Sequence, residues 1–251
     1  MSKRKPITII AIILSVVLLF SSGITANAEF SVPSDEPTVE TRYFNMAEFH
    51  HIAVGGNWDV TYVEAPTHSI RVEMPEVWFG RYNFNVRSRT LSVERRLLSR
   101  FTRWNEPVRP RIYIFAPTLE SMNLSGSATA QTRYPIAERD FVLNTSGTAK
   151  ATLHLYISRN LVLNSSGASY VNLSGTTDTL RITGAGVNRI HAFDLQATEA
   201  RNVNVAGVGT VEISVTELLD VRVAGTTRVY FRGNPTVNQR VSGSGRVIQV
   251  N

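Results

Sequence analysis

Cysteine is absent from all 251 residues. Neither disulfides nor thiolate metal sites can staple this chain, and cysteine nucleophile chemistry is excluded; its stability has to come from burial and hydrogen bonding. Lysine is nearly absent too: beyond residue 5 only Lys150 remains, so positive charge is carried almost wholly by arginine. Long apolar runs are missing except for one, Ile7 to Phe20. No helical period of 3.6 residues organises the second half of the chain, which argues against helix-bearing repeats.

The single apolar run follows the basic residues Lys3, Arg4 and Lys5, and precedes Ser21-Ser22-Gly23 and Ala26-Asn27-Ala28. Basic head, apolar middle and A-x-A end make a signal peptide over residues 1–28, cleaved after Ala28. As a helix the run covers about 21 Å, short of the roughly 30 Å of a hydrocarbon core, which disfavours a retained anchor. The expected compartment is the periplasm or outer surface of a bacterium. Without the first 28 residues the net charge falls from +6 to about +3, which is no nucleic-acid signature.

Residues 29–42 are polar and proline-bearing, and predict an exposed leader, with structure beginning near Tyr43. Residues 43–117 alternate in strand fashion: Ile52 and Val54, then Trp58, Val60 and Tyr62, then Tyr82, Phe84 and Val86, then Leu91 and Val93, then Ile112 and Ile114. Gly55-Gly56 and Ser88-Arg89-Thr90 supply turn signals between them.

Residues 118–251 repeat themselves. MNLSGSATA from Met122, LNTSGTAKA from Leu143, LNSSGASYV from Leu163, ITGAGVNRI from Ile182, VNVAGVGTV from Val203, VRVAGTTRV from Val221 and VSGSGRVIQ from Val241 align on Gly126, Gly147, Gly167, Gly186, Gly207, Gly225 and Gly245. The mean spacing is about 20 residues. The residue four before the glycine is always apolar (Met122, Leu143, Leu163, Ile182, Val203, Val221, Val241), and so is the one four after it (Ala130, Ala151, Val171, Ile190, Val211, Val229). The residue just before the glycine is always serine or alanine. Two short strands joined at a glycine corner, returning every 20 or so residues, are what one coil of a parallel β-helix requires. A leucine-rich repeat would need a helical segment in each unit, and a β-sandwich has no reason to keep one glycine in register. The expected class is all-β, a solenoid-like parallel β-helix after an N-terminal β-strand part, in one continuous domain.

Three before the glycine stand Asn123, Asn144, Asn164, Thr183 and Asn204, then Arg222 and Ser242. Such a ladder either bonds to itself at a solenoid corner or presents polar groups to a glycan.

These residues carry a resemblance. FHHIAVGGNWDVTYVEA at 49–65, IYIFAPTLESMNLSGSATA at 112–130 and the Ser-Gly repeats after them resemble the bacterial family described as putative auto-transporter adhesin, head GIN domain, over about residues 43–250. The resemblance implies an exported β-rich protein ending in a right-handed β-helical part, with no established catalytic activity. This chain departs from the pattern in a longer, more basic segment at 87–111.

That segment holds eight arginines against Glu94 and Glu106, interleaved with Leu97, Leu98, Phe101 and Trp104. Arg95, Arg96, Arg100, Arg103 and Trp104 are therefore candidates for meeting an anionic surface, the alternative being an exposed hairpin connection folded onto the core. No metal or cofactor is expected. His50 and His51 are strand neighbours pointing to opposite faces, and His68, His154 and His191 stand alone. Ser125, Ser146 and Ser166 precede glycines but lack the helix and partners of a nucleophile elbow. Asp178, Asp194, Glu199, Glu212, Glu217 and Asp220 fall in unrelated columns of the repeat, giving no catalytic constellation. The function expected is a non-catalytic envelope scaffold, adhesin-like, offering its surface to a glycan, an envelope component or a protein, its open end closed by another subunit. The alternative is a β-helix-type glycan-processing enzyme, lyase or hydrolase.

Overall fold

A computed structural model describes residues 38–96 and 109–251. The signal peptide expected at 1–28, most of the leader, and Arg100, Arg103 and Trp104 lie outside the described residues. Among the described residues no helix is long and apolar enough to cross a membrane.

The chain is nearly all β. Strands β1 (Val39–Asn45), β2 (His51–Gly56), β3 (Asp59–Glu64) and β4 (Ser69–Pro75) lead to one helical turn, α1 (Glu76–Phe79). Then follow β5 (Tyr82–Arg87), β6 (Thr90–Arg95), β7 (Arg111–Ala116), β8 (Ser121–Gly126), β9 (Thr129–Thr132) and β10 (Ile136–Thr145). A continuous extended run, β11 (Lys150–Gly225), precedes β12 (Arg228–Arg232), β13 (Thr236–Gly243) and β14 (Arg246–Gln249).

All belong to one sheet, and that sheet is mixed rather than parallel throughout. Pairing is parallel wherever repeat units meet: β8 with β10, β10 with β11, β11 with β12 and β13, and β12 with β14. It is antiparallel where β1 meets β4, β4 meets β7 and β5 meets β6.

The glycine register is set by backbone contact. A Cβ added at Gly167 would lie 2.5 Å from the carbonyl oxygen of Gly147, and one at Gly186 equally close to that of Gly167. Both residues have positive φ, +86° and +97°, so glycine is required by conformation as well as by space. The two apolar columns flanking the corner face inward as expected: Met122, Leu143, Leu163, Ile182, Val203 and Val221 on one side, and Ala130, Ala151, Val171, Ile190, Val211 and Val229 on the other, are all fully buried.

Three boundaries differ from the sequence expectation. The column runs back into the N-terminal part, since Gly56 pairs with Gly126, Ile52 with Met122 and Leu91, and Val60 with Ala130 and Ile112. IAVGGNWDV is thus a repeat unit itself. At the other end the stacked glycine is Gly243 and not Gly245, because Gly225 pairs with Gly243 and Val223 with Val241. Finally, β1 starts at Val39, ahead of Tyr43. Its half-buried residues are Glu40, Arg42 and Phe44; Arg42 bonds Glu40 at 2.8 Å and stacks 4.2 Å over the Phe79 ring, so charged side chains occupy what would be an apolar alternation.

The two ends of the stack are unlike. At the β5–β6 end, Trp58 packs edge-on to Tyr82 at 4.9 Å and to Phe84 at 6.0 Å, and Phe44 lies 5.5 Å from Phe84. Ser88 and Arg89, both with positive φ (48° and 56°), turn β5 into β6 as a two-residue hairpin of the primed type. Truncating the buried Trp58 in this aromatic plug costs about 3–5 kcal/mol. At the other end Val241 is in an inward column yet 41% exposed.

A bulge interrupts the β10–β11 ladder between Glu138 and Asp140, where Ser158 and Arg159 face Arg139 alone. Asp140 clamps it, accepting from Arg159 Nη2 at 2.6 Å, Arg159 Nε at 2.9 Å and Asn160 Nδ2 at 2.7 Å. These donors, Arg159 first, pull the Asp140 carboxyl down to about 2.

Two predictions follow from this architecture. Gly186→Ala lowers the stability read from urea midpoints by about 1–3 kcal/mol or more, whereas Gly80→Ala, at φ −68° with open space around its Cβ, leaves it unchanged or raises it by about 0.4–1 kcal/mol. The Asp140 clamp, having a folded pKa below its unfolded value, contributes stability above about pH 4 that is lost as pH falls through about 2. Acid titration followed by circular dichroism therefore shows a shallower fall over that window for Asp140→Asn than for the parent.

Candidate functional site

The corner facing solvent is built from what the repeat leaves outside. In each unit the residues at four and two before the glycine point inward, so those at three and one before it point outward. The three-before column pairs Ser92 with Ala53, Ala53 with Asn123, Asn123 with Asn144 and Asn144 with Asn164. Asn144 Nδ2 donates to Asn123 Oδ1 at 2.5 Å, and Asn164 Nδ2 to Asn144 Oδ1 at 2.8 Å. Asn144 spends one donor and one acceptor lone pair along the ladder, Asn123 only an acceptor and Asn164 only a donor, and the remaining capacity is open to a ligand or water. Asn204 stands apart, beyond Thr183, and accepts from Arg222 at 3.5 Å.

Inside the same corner, small polar residues two before and two after the glycine bond across neighbouring units: Thr145 donates to Ser169 at 3.1 Å, and Ser165 donates to Asn188 Oδ1 at 2.6 Å. The Asn188 amide also covers the space that Gly184 leaves, since a Cβ there would meet it at 3.4 Å. The corner is therefore rigid from both sides.

Outside lies an open groove of about 820 Å³. Asn123, Asn144 and Asn164 line it together with Ser125, Ser146 and Ser166, while Gly55, Gly56, Glu94 and Arg95 form one end. Two sequence candidates that looked unrelated thus share one site, the Asn ladder and the start of the arginine-rich segment. Val93 pairs with Val54, so the chain leaves the column at Glu94–Arg95, where other units place their small residue and glycine. Arg96 turns away and donates to Asn83 Oδ1 at 2.7 Å. Ser125, Ser146 and Ser166 sit at strand corners with no helix after them.

On another face, His191 does not stand alone. Its Nδ1 donates to Glu212 at 2.7 Å, and its ring lies 5.2 Å from that of Tyr170. His191 and Glu212, with Asp194, Asn172 and Arg232, border a depression of about 500 Å³. Asp194 and Glu212 lie at different offsets from their glycines, which hid their proximity; the signal was the run Thr152, Asn172, His191, Glu212, each five after its glycine. His50 is held by Thr118 and Glu48, both at 2.8 Å, and His51 by Ser121 at 2.9 Å. Among the described residues no group of three or more histidines and acids could hold a metal ion.

Solved structures share this architecture. A putative adhesin from Bacteroides fragilis superposes with a TM-score of 0.76 at 20% identity, over 85% of this chain and 97% of its own. A putative lipid binding protein from Parabacteroides distasonis gives 0.66 at 21%, over 85% and 97%, and a putative adhesin from Parabacteroides merdae 0.66 at 19%, over 85% and 96%. At these identities the likeness is one of fold. No curated protein matches the chain. A family model matches residues 48–235, a span that takes in the glycine corners from Gly56 to Gly225, so the chain belongs to the family described as putative auto-transporter adhesin, head GIN domain.

Proposed function

We propose that this chain is an exported, non-catalytic binding scaffold of the bacterial cell envelope, adhesin-like in its action. On this reading the parallel units are successive coils of a β-solenoid, right-handed as parallel crossovers are by a wide margin, and the glycine corner presents a glycan or an envelope protein with a fixed row of polar groups. The observation that carries it is the groove over Asn123, Asn144 and Asn164. Its amides repeat at the strand spacing of about 4.8 Å and are locked to each other by hydrogen bonds, so a partner meets donors and acceptors whose ordering has already been met in folding. Arg95 at the groove's end adds an anchor for an acidic group.

A second reading, a glycan-processing enzyme, is favoured by one feature, the His191–Glu212 pair beside Asp194 and Arg232. A neutral or acidic glycan incubated with the purified chain distinguishes the two. The scaffold reading expects intact polymer by size; chain shortening that disappears in Glu212→Gln would replace it with the enzyme.

For the scaffold, Asn144→Leu removes the middle rung and puts an apolar side chain into the groove. Saturable retention on a glycan array, or crosslinking to a partner in intact cells, is expected to fall about tenfold or more, with the thermal midpoint lowered only slightly. Unchanged binding in a folded Asn144→Leu protein removes the groove from the site.

A further inference from the structure

The column that carries the Asn ladder changes chemistry at the far end of the stack. After Asn204 it continues as Arg222, and β11 pairs with β13 so that Arg222 faces Arg240 directly. On the opposite flank of the glycine corner, three residues after Gly225 and Gly243, Arg228 faces Arg246 in the same way. The last two units thus hold two arginine rungs, one on each flank of a shared corner, and all four side chains are exposed.

Like charges placed directly opposite on neighbouring strands destabilise a sheet, so the arrangement calls for compensation. Asp220 supplies little of it, approaching Arg222 at 3.8 Å, and its own neighbour on β13 is the uncharged Asn238. Among the described residues Arg228, Arg240 and Arg246 make no ion pair. One role for such charge is to blunt an exposed strand edge against self-association. That accounts for Arg240 and Arg246 on the final strands, but not for Arg222 and Arg228 one unit further in, whose edges are already paired.

We infer that the two arginine rungs are a binding site for an acidic polysaccharide, one carrying carboxylate, sulfate or phosphate groups along its chain. The guanidinium fork matches such groups in pairs, and the Arg222–Arg240 rung lies in the same column as the hydrogen-bonding ladder, with Arg228–Arg246 on the opposite flank of the corner. A linear polymer running down that column meets amides over Asn123 to Asn164 and arginines at Arg222 and Arg240. A lipid surface calls instead for apolar side chains beside the cations; here the one exposed apolar residue of β13, Val241, lies in an inward column that no further strand covers among the described residues. The site rests on the scaffold reading above in taking the partner to be a glycan, and extends it by giving the partner its charge.

The test measures binding of the whole chain to fluorescent polygalacturonate at low and high salt, with uncharged dextran and vesicles of mixed neutral and anionic phospholipid in parallel. The parent protein is expected to bind polygalacturonate with a steep salt dependence, and Arg240→Ser with Arg246→Ser to weaken it about tenfold or more and flatten that dependence. Arg240→Lys with Arg246→Lys, which keeps the charge, recovers part of the loss, and the thermal midpoints confirm that every variant is folded. Polygalacturonate binding unchanged in the serine variant overturns the site, as does arginine-dependent binding to anionic vesicles without binding to the polymer. A serine variant that merely self-associates, with polymer binding intact, also overturns it and leaves edge protection as the role. Asn144→Leu separates this site from the groove: dextran binding lost there while the serine variant keeps polygalacturonate sinks the arginine site alone, and loss confined to the serine variant sinks the groove alone.

Discussion

Everything in this molecule depends on one close approach, the stacking of each corner glycine on the carbonyl of the glycine one unit earlier. At Gly147, Gly167, Gly186, Gly225 and Gly243 an added Cβ would lie between 2.5 and 2.7 Å from that oxygen, and at Gly207 closer still. No rotamer relieves such a clash, because the obstacle is backbone. The consequence is a fixed register: if one glycine sits on the next, the residues four away on each side must stack too, and a slip by one residue would turn both apolar columns to solvent. Leu143, Leu163 and Ile182 are fully buried for that reason. In a chain without disulfides this repetition replaces covalent staples.

The same constraint makes the surface. A corner too tight for side chains at the glycine leaves the flanking outward positions as the only ones free to vary, and whatever stands there is repeated at strand spacing. Neutral amides give a ladder that bonds to itself, as Asn123, Asn144 and Asn164 do. Arginines cannot bond to one another, so their donors turn to groups outside the rung, as those of Arg222 do to Asn204 and Asp220. The fold converts a choice of residue type at one offset into a row of identical chemistry, which suits recognition of polymers better than recognition of single small molecules.

How much of this was legible in the sequence follows from what the constraint does and does not fix. The glycine, the small residue before it and both apolar columns could be read directly, because backbone contact and burial leave them little freedom. The last unit was misplaced by two residues, since Val241-Ser242-Gly243-Ser244-Gly245 offers two Ser-Gly pairs of the same parity. Apolar alternation favoured Gly245, yet the residue in register with Val221 is Gln239. A polar residue is tolerated there because no further unit among the described residues covers it. The first unit was missed for a different reason. In IAVGGNWDV the corner is followed by Trp58, a plug for the end of the stack, where internal units place small residues such as Ala128 and Ala149. The groove itself was only half visible: the Asn column stood out by repetition, but the meeting of Arg95 with that ladder required the pairing of β6 with β2, strands almost 40 residues apart in sequence with a hairpin between them.

The asymmetry of the two ends then explains where charge can be placed. At the β5–β6 end, aromatic rings of Trp58, Tyr82, Phe84 and Phe44 seal the interior, and antiparallel strands consume the free backbone groups. At the β13–β14 end no such plug is found among the described residues, and an uncovered parallel edge invites pairing by any extended segment. Arginines at this end oppose a second copy of the same end, because two identical basic rungs brought face to face repel. They attract an anionic chain by the same field. One set of side chains thus discourages stacking of like on like while favouring a partner of opposite charge, and it does so without altering any position that the glycine register requires.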